Sequence, residues 1–318
     1  MPPPSSPSRA RGEAQRPQLG LASAVFAVLV WGTSSVLIKK VEGLEGAAVA
    51  MYRLWVGAPL VTAVFLLSGG RLTRRLLRLS FWGGAAFGLD ILLFFSALQH
   101  TSVANATVIG ALQPLLLLLL AGPMFGERPR WIDVVWGVVG VAGAAVVVLG
   151  GDGGGAAGGR GNLLAVGALL AWTGYFVASK TARVELSSLE YLTGLSIVAA
   201  LLVIPAPALL GVSLGSPSVH DWALIVTIAV VNGALGHFLM NWAHAHVKLV
   251  VTSLLTLAVP VVATSMAVPV LDETVAGLQV VGMAVVVVAL GTVAVAGARY
   301  QPELTEAEVA ALAALPDP

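Results

Sequence analysis

Residues 114–127, PLLLLLLAGPMFGE, and residues 260–273, PVVATSMAVPVLDE, share one pattern, P-x8-P-x3-E, at a constant offset along the chain. Each begins deep inside a run of apolar residues and ends on a glutamate where the run stops. Proline inside such a run removes a backbone donor and bends a helix. The same bend at the same place in two runs is the mark of an internal duplication. A second set agrees: Trp31, Val36 and Lys39 match Trp172, Val177 and Lys180 at a nearly equal offset.

The runs themselves set the fold class. Hydrophobic residues make up 58% of the 318, and charged residues only 10%. A soluble domain carries about 25% charged residues, so this chain lacks the material for a water-facing surface. A stretch of about 20 apolar residues crosses the roughly 30 Å hydrocarbon core as a helix. Such stretches are predicted at 19–38, 46–68, 81–98, 101–125, 131–150, 161–179, 189–211, 221–243, 247–270 and 275–297. Strands would need alternating polarity and closure into a barrel. The expectation is an all-α polytopic membrane protein of ten transmembrane helices. The run from Leu19 to Ile38 is too long for a signal-peptide core.

Charge sets the orientation. Of the 17 lysines and arginines, Lys39, Lys40 and Arg160 fall in segments opposite the N-terminal tail, and Arg53 falls inside a span. The rest lie on the tail's side. Positive charge stays inside, so both termini are expected to be cytoplasmic, in the plasma (cytoplasmic) membrane.

The expected organisation is a disordered cytoplasmic tail (1–18) rich in proline, serine and arginine, a first five-helix repeat (19–150), a glycine-rich linker (151–160), a second five-helix repeat (161–298), and a cytoplasmic C-terminal tail (299–318). Thr305 and Glu308 have the spacing of a capping box within that tail. The linker glycines lack the G-x-x-x-x-G-K-[ST] phosphate-binding pattern. Because each repeat has an odd number of spans, the second enters the membrane upside down. Inverted repeats place a solute site near the midplane, where the two meet, and give two arrangements of similar energy, each open to one side. Glu127 and Glu273, which close the matched runs, then lie on opposite faces.

Arg53 and Asp90 are the plainest charges inside spans. Each costs about 2.5–3.5 kcal/mol at a helix centre by insertion scales, so neither faces lipid. Their depths differ by about 6 Å at the helical rise. They are expected to line one aqueous cavity; a structural ion pair, or an Arg53 that snorkels to the interface, is the competing account. His237 and Asn241 share a helix face and extend a polar stripe from Asn232. Histidine can carry a coupled proton or make ordinary interhelical hydrogen bonds. Trp31 and Trp172 are pocket aromatics or interface anchors, with Thr33, Ser34 and Tyr175 beside them. Asn105 and Gln113 offer hydrogen bonds to solute, and Pro114 and Pro260 are expected helix kinks. His244, His246 and Lys248 read as a basic cytoplasmic loop. No carboxylate or cysteine joins the H-x-H spacing, so no metal site is expected. Gly137, Gly140 and Gly143 permit close helix contact, within the repeat or at a homodimer interface.

The segments WGTSSVLIKK (31–40), MYRLWVGAPL (51–60), FFSALQHTSVANATVIGALQPLLLLLLAGPMFGERPR (94–130), AWTGYFVASK (171–180) and VKLVVTSLLTLAVPVVATSMAVPVLDET (247–274) resemble the EamA-type transporters of the drug/metabolite transporter superfamily. That resemblance covers residues 19–297. It implies a secondary transporter of two five-helix repeats, often an exporter of amino acids, metabolites or toxic compounds. The expected function is therefore alternating-access transport of a small organic solute, outward, with protons as the candidate coupling ion. The expected partners are that solute and the lipid bilayer, with no nucleic acid and no cofactor. A membrane-embedded enzyme is the alternative, but no convergent nucleophile-base set or catalytic residue stands out. A non-transporting membrane scaffold is the third reading.

Overall fold

The computed structural model describes residues 16–98, 100, 109–126, 129–149, 159–271 and 275–299. Among them every regular element is helical. Asn105, Glu127, Glu273, most of the glycine-rich linker, the capping-box residues Thr305 and Glu308, and nearly all of both tails lie outside the described residues.

In chain order the helices are α1 (Pro17–Gly32), α2 (Ser34–Lys39), α3 (Gly46–Leu67), α4 (Arg74–Leu98), α5 (Gln113–Phe125), α6 (Trp131–Leu149) and α7 (Gly159–Ala182). There follow α8 (Ser188–Leu202), α9 (Ala206–Leu210) and α10 (Val219–Thr227). A π-helical segment (Ile228–Leu235) joins α10 to α11 (Gly236–His246). The chain continues through α12 (Leu249–Leu255), α13 (Ala258–Leu271) and α14 (Gly277–Arg299).

Among the described residues, seven helical stretches are long and apolar enough to cross a bilayer: Pro17–Ile38, Gly46–Leu67, Arg74–Phe94, Gly159–Ala182, Ser188–Leu209, Val219–His246 and Leu249–Val270. Three more apolar helices are shorter: Gln113–Phe125, Trp131–Val147 and Gly277–Val293. Large apolar side chains point outward along them, with Leu119 73% and Val287 59% exposed. Only lipid accommodates so much exposed apolar surface. The protein is a multi-pass membrane protein.

Helix ends depart from the hydropathy reading where charge or glycine hides them. α4 starts at Arg74 rather than at residue 81, because a basic first turn carries the helix past the apolar core. α7 starts at Gly159, so residues 159 and 160 of the expected linker are helical. Glycine lowers helix propensity, which conceals that start. Serine caps are plainer: Ser187 with Glu190, and Ser218 with Asp221, each form a complete capping box.

The matched prolines sit at breaks in their spans. Pro114 lies in the first turn of α5, just after a turn at residues 111–112. Pro260 lies in the first turn of α13, just after the break between α12 and α13. A first-turn proline gives up a donor that has no helical partner anyway. The break, rather than a bend within a continuous helix, absorbs the missing bond. α1 is also interrupted, where Thr33 N–H donates back to the Val30 carbonyl at 3.2 Å.

α4 packs on α7 and α8, α11 packs on α1, and α3 packs on α8. Their buried side chains, Met51, Phe87, Phe176, Leu195 and Met240 among them, form the main core. A second core joins α5, α6, α12 and α14. Gly143 packs against α14. A Cβ there would lie 3.1 Å from the Gly282 carbonyl, and one on Gly282 would lie 2.7 Å from the Val147 nitrogen. Glycine at both positions lets α6 and α14 cross with backbones touching.

Candidate functional site

The site is assembled from one face each of α7 and α11. On α7, Trp172, Tyr175 and Ser179 recur at three- and four-residue spacing and so share a stripe. On α11, His237, Asn241 and His244 do the same. All except Trp172 are buried.

Asn241 Oδ1 is the hub. It accepts from the Tyr175 hydroxyl at 2.9 Å and from the Ser179 hydroxyl at 2.8 Å. Each hydroxyl has one proton to give, and each has given it to Asn241. Tyr175 therefore accepts from His237 Nδ1, 3.0 Å away. By the same count, Ser179 accepts from His244 Nδ1 at 2.7 Å. Both histidines thus carry the Nδ1 proton. His237 Nε2 is left as an acceptor, and the guanidinium of Arg53 lies 3.5 Å from it. The Asn241 amide nitrogen and His244 Nε2 are buried with no partner among the described residues.

Below the hub, cations hold the end of the bundle through backbone carbonyls. Arg183 Nε donates to the Asn241 carbonyl at 2.9 Å, and its Nη1 donates to the Leu186 carbonyl. Lys180 Nζ donates to the Val247 carbonyl at 2.7 Å. His244 and His246 are 0% and 8% exposed in the last turn of α11. They are helical and buried, which corrects their reading as a basic loop. Their partners lie on a neighbouring helix or at Trp242, and one sequence does not show them.

Aromatic rings wall the other side of His237. Phe87 lies 4.6 Å from it, Trp31 4.9 Å and Trp172 6.2 Å between ring centres. Trp31 and Trp172 meet edge to face at 5.4 Å. Trp31 reaches this place because position 236 is glycine: a Cβ there would lie 2.6 Å from the indole nitrogen.

Two helix irregularities meet beside these rings. The π-helical segment holds Asn232, whose carbonyl accepts from Trp31 Nε1 at 3.1 Å. The Asn232 amide nitrogen donates in return to the Val30 carbonyl and, at 3.0 Å, to the Thr33 hydroxyl. The backbone groups loosened by the break in α1 and by the π-helix are thus satisfied across the bundle, as apolar surroundings require. Ser34 opens α2 just beyond the break, half-buried.

A small cavity, partly open to its surroundings, lies next to His237. Arg53, His237 and Ser196 are its polar lining, and the remainder is apolar. Gly57, Ala58, Ala229, Gly233 and Ala234 keep the side chains on two walls short, and Phe87 and Leu192 stand opposite. Asp90 is close enough for its charge to act on Arg53 and Tyr175, yet it does not line this space. No ion pair within 4 Å joins it to Arg53 among the described residues. Gln113 is buried elsewhere, at the start of α5, with no partner for either amide atom among the described residues. Ser179, His244 and Phe87 went unremarked as site residues in the sequence. The first follows Tyr175 by one helical turn, and that spacing is the signal that could have found it.

No group of three or more potential metal ligands is present among the described residues.

Comparisons with known proteins agree with this architecture. The model of the EamA-like transporter family matches residues 18–149 and again 159–295. The chain is similar to the uncharacterized inner membrane transporter YhbE of Escherichia coli strain K12, at 26% identity over 260 residues, covering 75% of this chain and 78% of that protein. The YhbE proteins of Escherichia coli O157:H7 and Shigella flexneri match to the same extent. A protein solved by crystallography shares the fold, with a TM-score of 0.77 at 22% identity, covering 88% of this chain and 99% of that one. With two matches that together take in most of its length, the chain belongs to the EamA-like transporter family.

Proposed function

We propose that the protein is a secondary active transporter that carries a small organic solute outward by alternating access. In this reading ten spans form two inverted five-helix repeats, 19–150 and 161–298, and both termini are cytoplasmic. The solute site is the cavity beside Arg53 and His237, where the repeats meet.

The contact between Trp31 and Trp172 carries the proposal. These residues occupy equivalent positions in the two repeats, and equivalent residues can touch only near the axis that relates them. Their rings are 5.4 Å apart, beside the cavity. The pairing of α6 with α14, and of α3 with α8, supports the same axis, since each pair joins equivalent spans. The double match of the family model is in keeping with a duplicated chain. Interrupted helices near the midplane are the usual furniture of such sites; here they are α1, the π-helical segment and the break before Pro260.

His237 is a weaker candidate for the coupled proton. Its Nδ1 already carries a proton, and a second one on Nε2 would point a donor at the Arg53 guanidinium. The driving force is then the solute's own gradient, or a proton carried at Asp90. Flux of candidate solutes in proteoliposomes, with and without an imposed pH gradient, tests the reading. Solute movement that depends on the protein supports it. Turnover of a solute without movement would favour an enzyme instead.

A further inference from the structure

We infer that the cavity is built for a small organic monoanion: a carboxylate on a compact apolar body, with the carboxylate seated on Arg53. The inference rests on the transporter reading above and names the class of solute.

Arg53 is the centre of the case. Its guanidinium carries five N–H donors in a rigid fork. The structure gives it one marginal hydrogen bond, 3.5 Å to His237 Nε2, and no carboxylate within 4 Å among the described residues. The side chain lines the cavity. A permanent cation there, otherwise surrounded by apolar walls, lacks the partners that make a charge tolerable inside a membrane. A solute carboxylate supplies them, with two acceptors spaced to meet the fork in a bidentate pair.

The other groups facing the space favour the same class. His237 is held in place by Tyr175 with its bare Nε2 beside Arg53, so it can steady the guanidinium but cannot donate to a solute from that atom. Among the described residues no acidic side chain lines the cavity, so a solute ammonium group would meet no counter-charge there. Asp90 acts on Arg53 from α4, outside the lining. It makes no ion pair with Arg53 within 4 Å among the described residues, so the guanidinium's donors stay open to a solute. Away from Arg53 and His237, Ser196 is the single polar lining residue among the described residues. The rest of the solute is therefore apolar, and the short side chains of Gly57, Ala58, Ala229 and Gly233 leave it width.

The test uses three probes with one carbon skeleton: 4-methylpentanoate, 4-methylpentanamide and 4-methylpentan-1-amine. Binding to the purified full-length protein in detergent is read by equilibrium dialysis with labelled probe. The carboxylate is expected to bind at least about tenfold more tightly than the amide, and the amine less tightly than either. In Arg53→Gln that preference for carboxylate over amide disappears, while Arg53→Lys retains part of it. Equal binding of carboxylate and amide, tighter binding of the amine, or binding of none of the three overturns the inference. The comparison among probes on the unaltered protein stands even where a variant does not fold. Exchange of labelled 4-methylpentanoate across proteoliposomes separates this idea from the one beneath it. Selective binding without exchange sinks the transporter reading and leaves the class of ligand standing. Flux of some other solute, undiminished in Arg53→Gln, does the reverse.

Discussion

Replacing Asn241 by leucine is the sharpest single perturbation of the buried network. Leucine keeps the branching at Cγ but is bulkier, so the shape is roughly kept, with some overpacking, while the hub acceptor is lost. The Tyr175 and Ser179 hydroxyls, which donate to Asn241 Oδ1 at 2.9 and 2.8 Å, are then buried donors without an acceptor. Each such orphan costs about 1–3 kcal/mol, a gross loss of about 2–6 kcal/mol. The substitution also removes the Asn241 amide nitrogen, which is already buried without a partner; relief of that orphan returns about 1–3 kcal/mol. The net expectation is a destabilisation of about 1–3 kcal/mol. Interhelical bonds in membranes average about 0.6 kcal/mol each, with a maximum near 1.7, and two of them give a similar range. Reversible unfolding in detergent measures the loss. A double-mutant cycle with Tyr175→Phe should then give a coupling of at least about 0.5 kcal/mol, since the two side chains share a bond. A loss below about 0.5 kcal/mol together with strict additivity would refute the hub.

Other expectations follow from single contacts. Gly236→Val places a Cβ 2.6 Å from the Trp31 indole nitrogen. It should cost about 1–3 kcal/mol as overpacking, read as a lowered melting temperature. Gly282→Val brings a Cβ to 2.8 Å from the Gly143 carbonyl, and should lower the melting temperature by forcing α6 and α14 apart. Nitrogen-15 chemical shifts of His237 should report an Nδ1-protonated ring with a bare Nε2. The opposite tautomer would reverse the donor order read from Tyr175 and Asn241.

The helices were legible because lipid imposes a one-dimensional rule. A span must be apolar for about 20 residues, and that length shows in any window of sequence. Their charged ends were less so: Arg74, Arg75 and Arg78 are helical, yet they read as a loop because hydropathy finds the bilayer and not the helix. Trp31, Arg53, Tyr175, His237 and Asn241 stood out as polar or aromatic residues in apolar runs, and the structure brings them together. Asp90 and Gln113 stood out for the same reason but do not line the cavity. Which polar residues converge depends on helix rotation, and the sequence of one helix does not state its angle to the next. The π-helical segment from Ile228 to Leu235 left no signal either. Its extra residue per turn is sustained by Trp31, more than two hundred residues away in the chain. The Gly143–Gly282 crossing was visible as glycine on one helix and undefined as to its partner.

The chain contains no cysteine, so one introduced thiol reports its position alone. Ser196 lines the cavity and is close to cysteine in size. Ser196→Cys, in sealed vesicles of known orientation, can be offered a membrane-impermeant thiol reagent from the outside and, separately, from the inside. Alternating access requires labelling from both faces, at rates that shift in opposite directions when solute is added to one side. A thiol that reacts from one face only, under every condition, would show a cavity that never changes sides and would contradict the account.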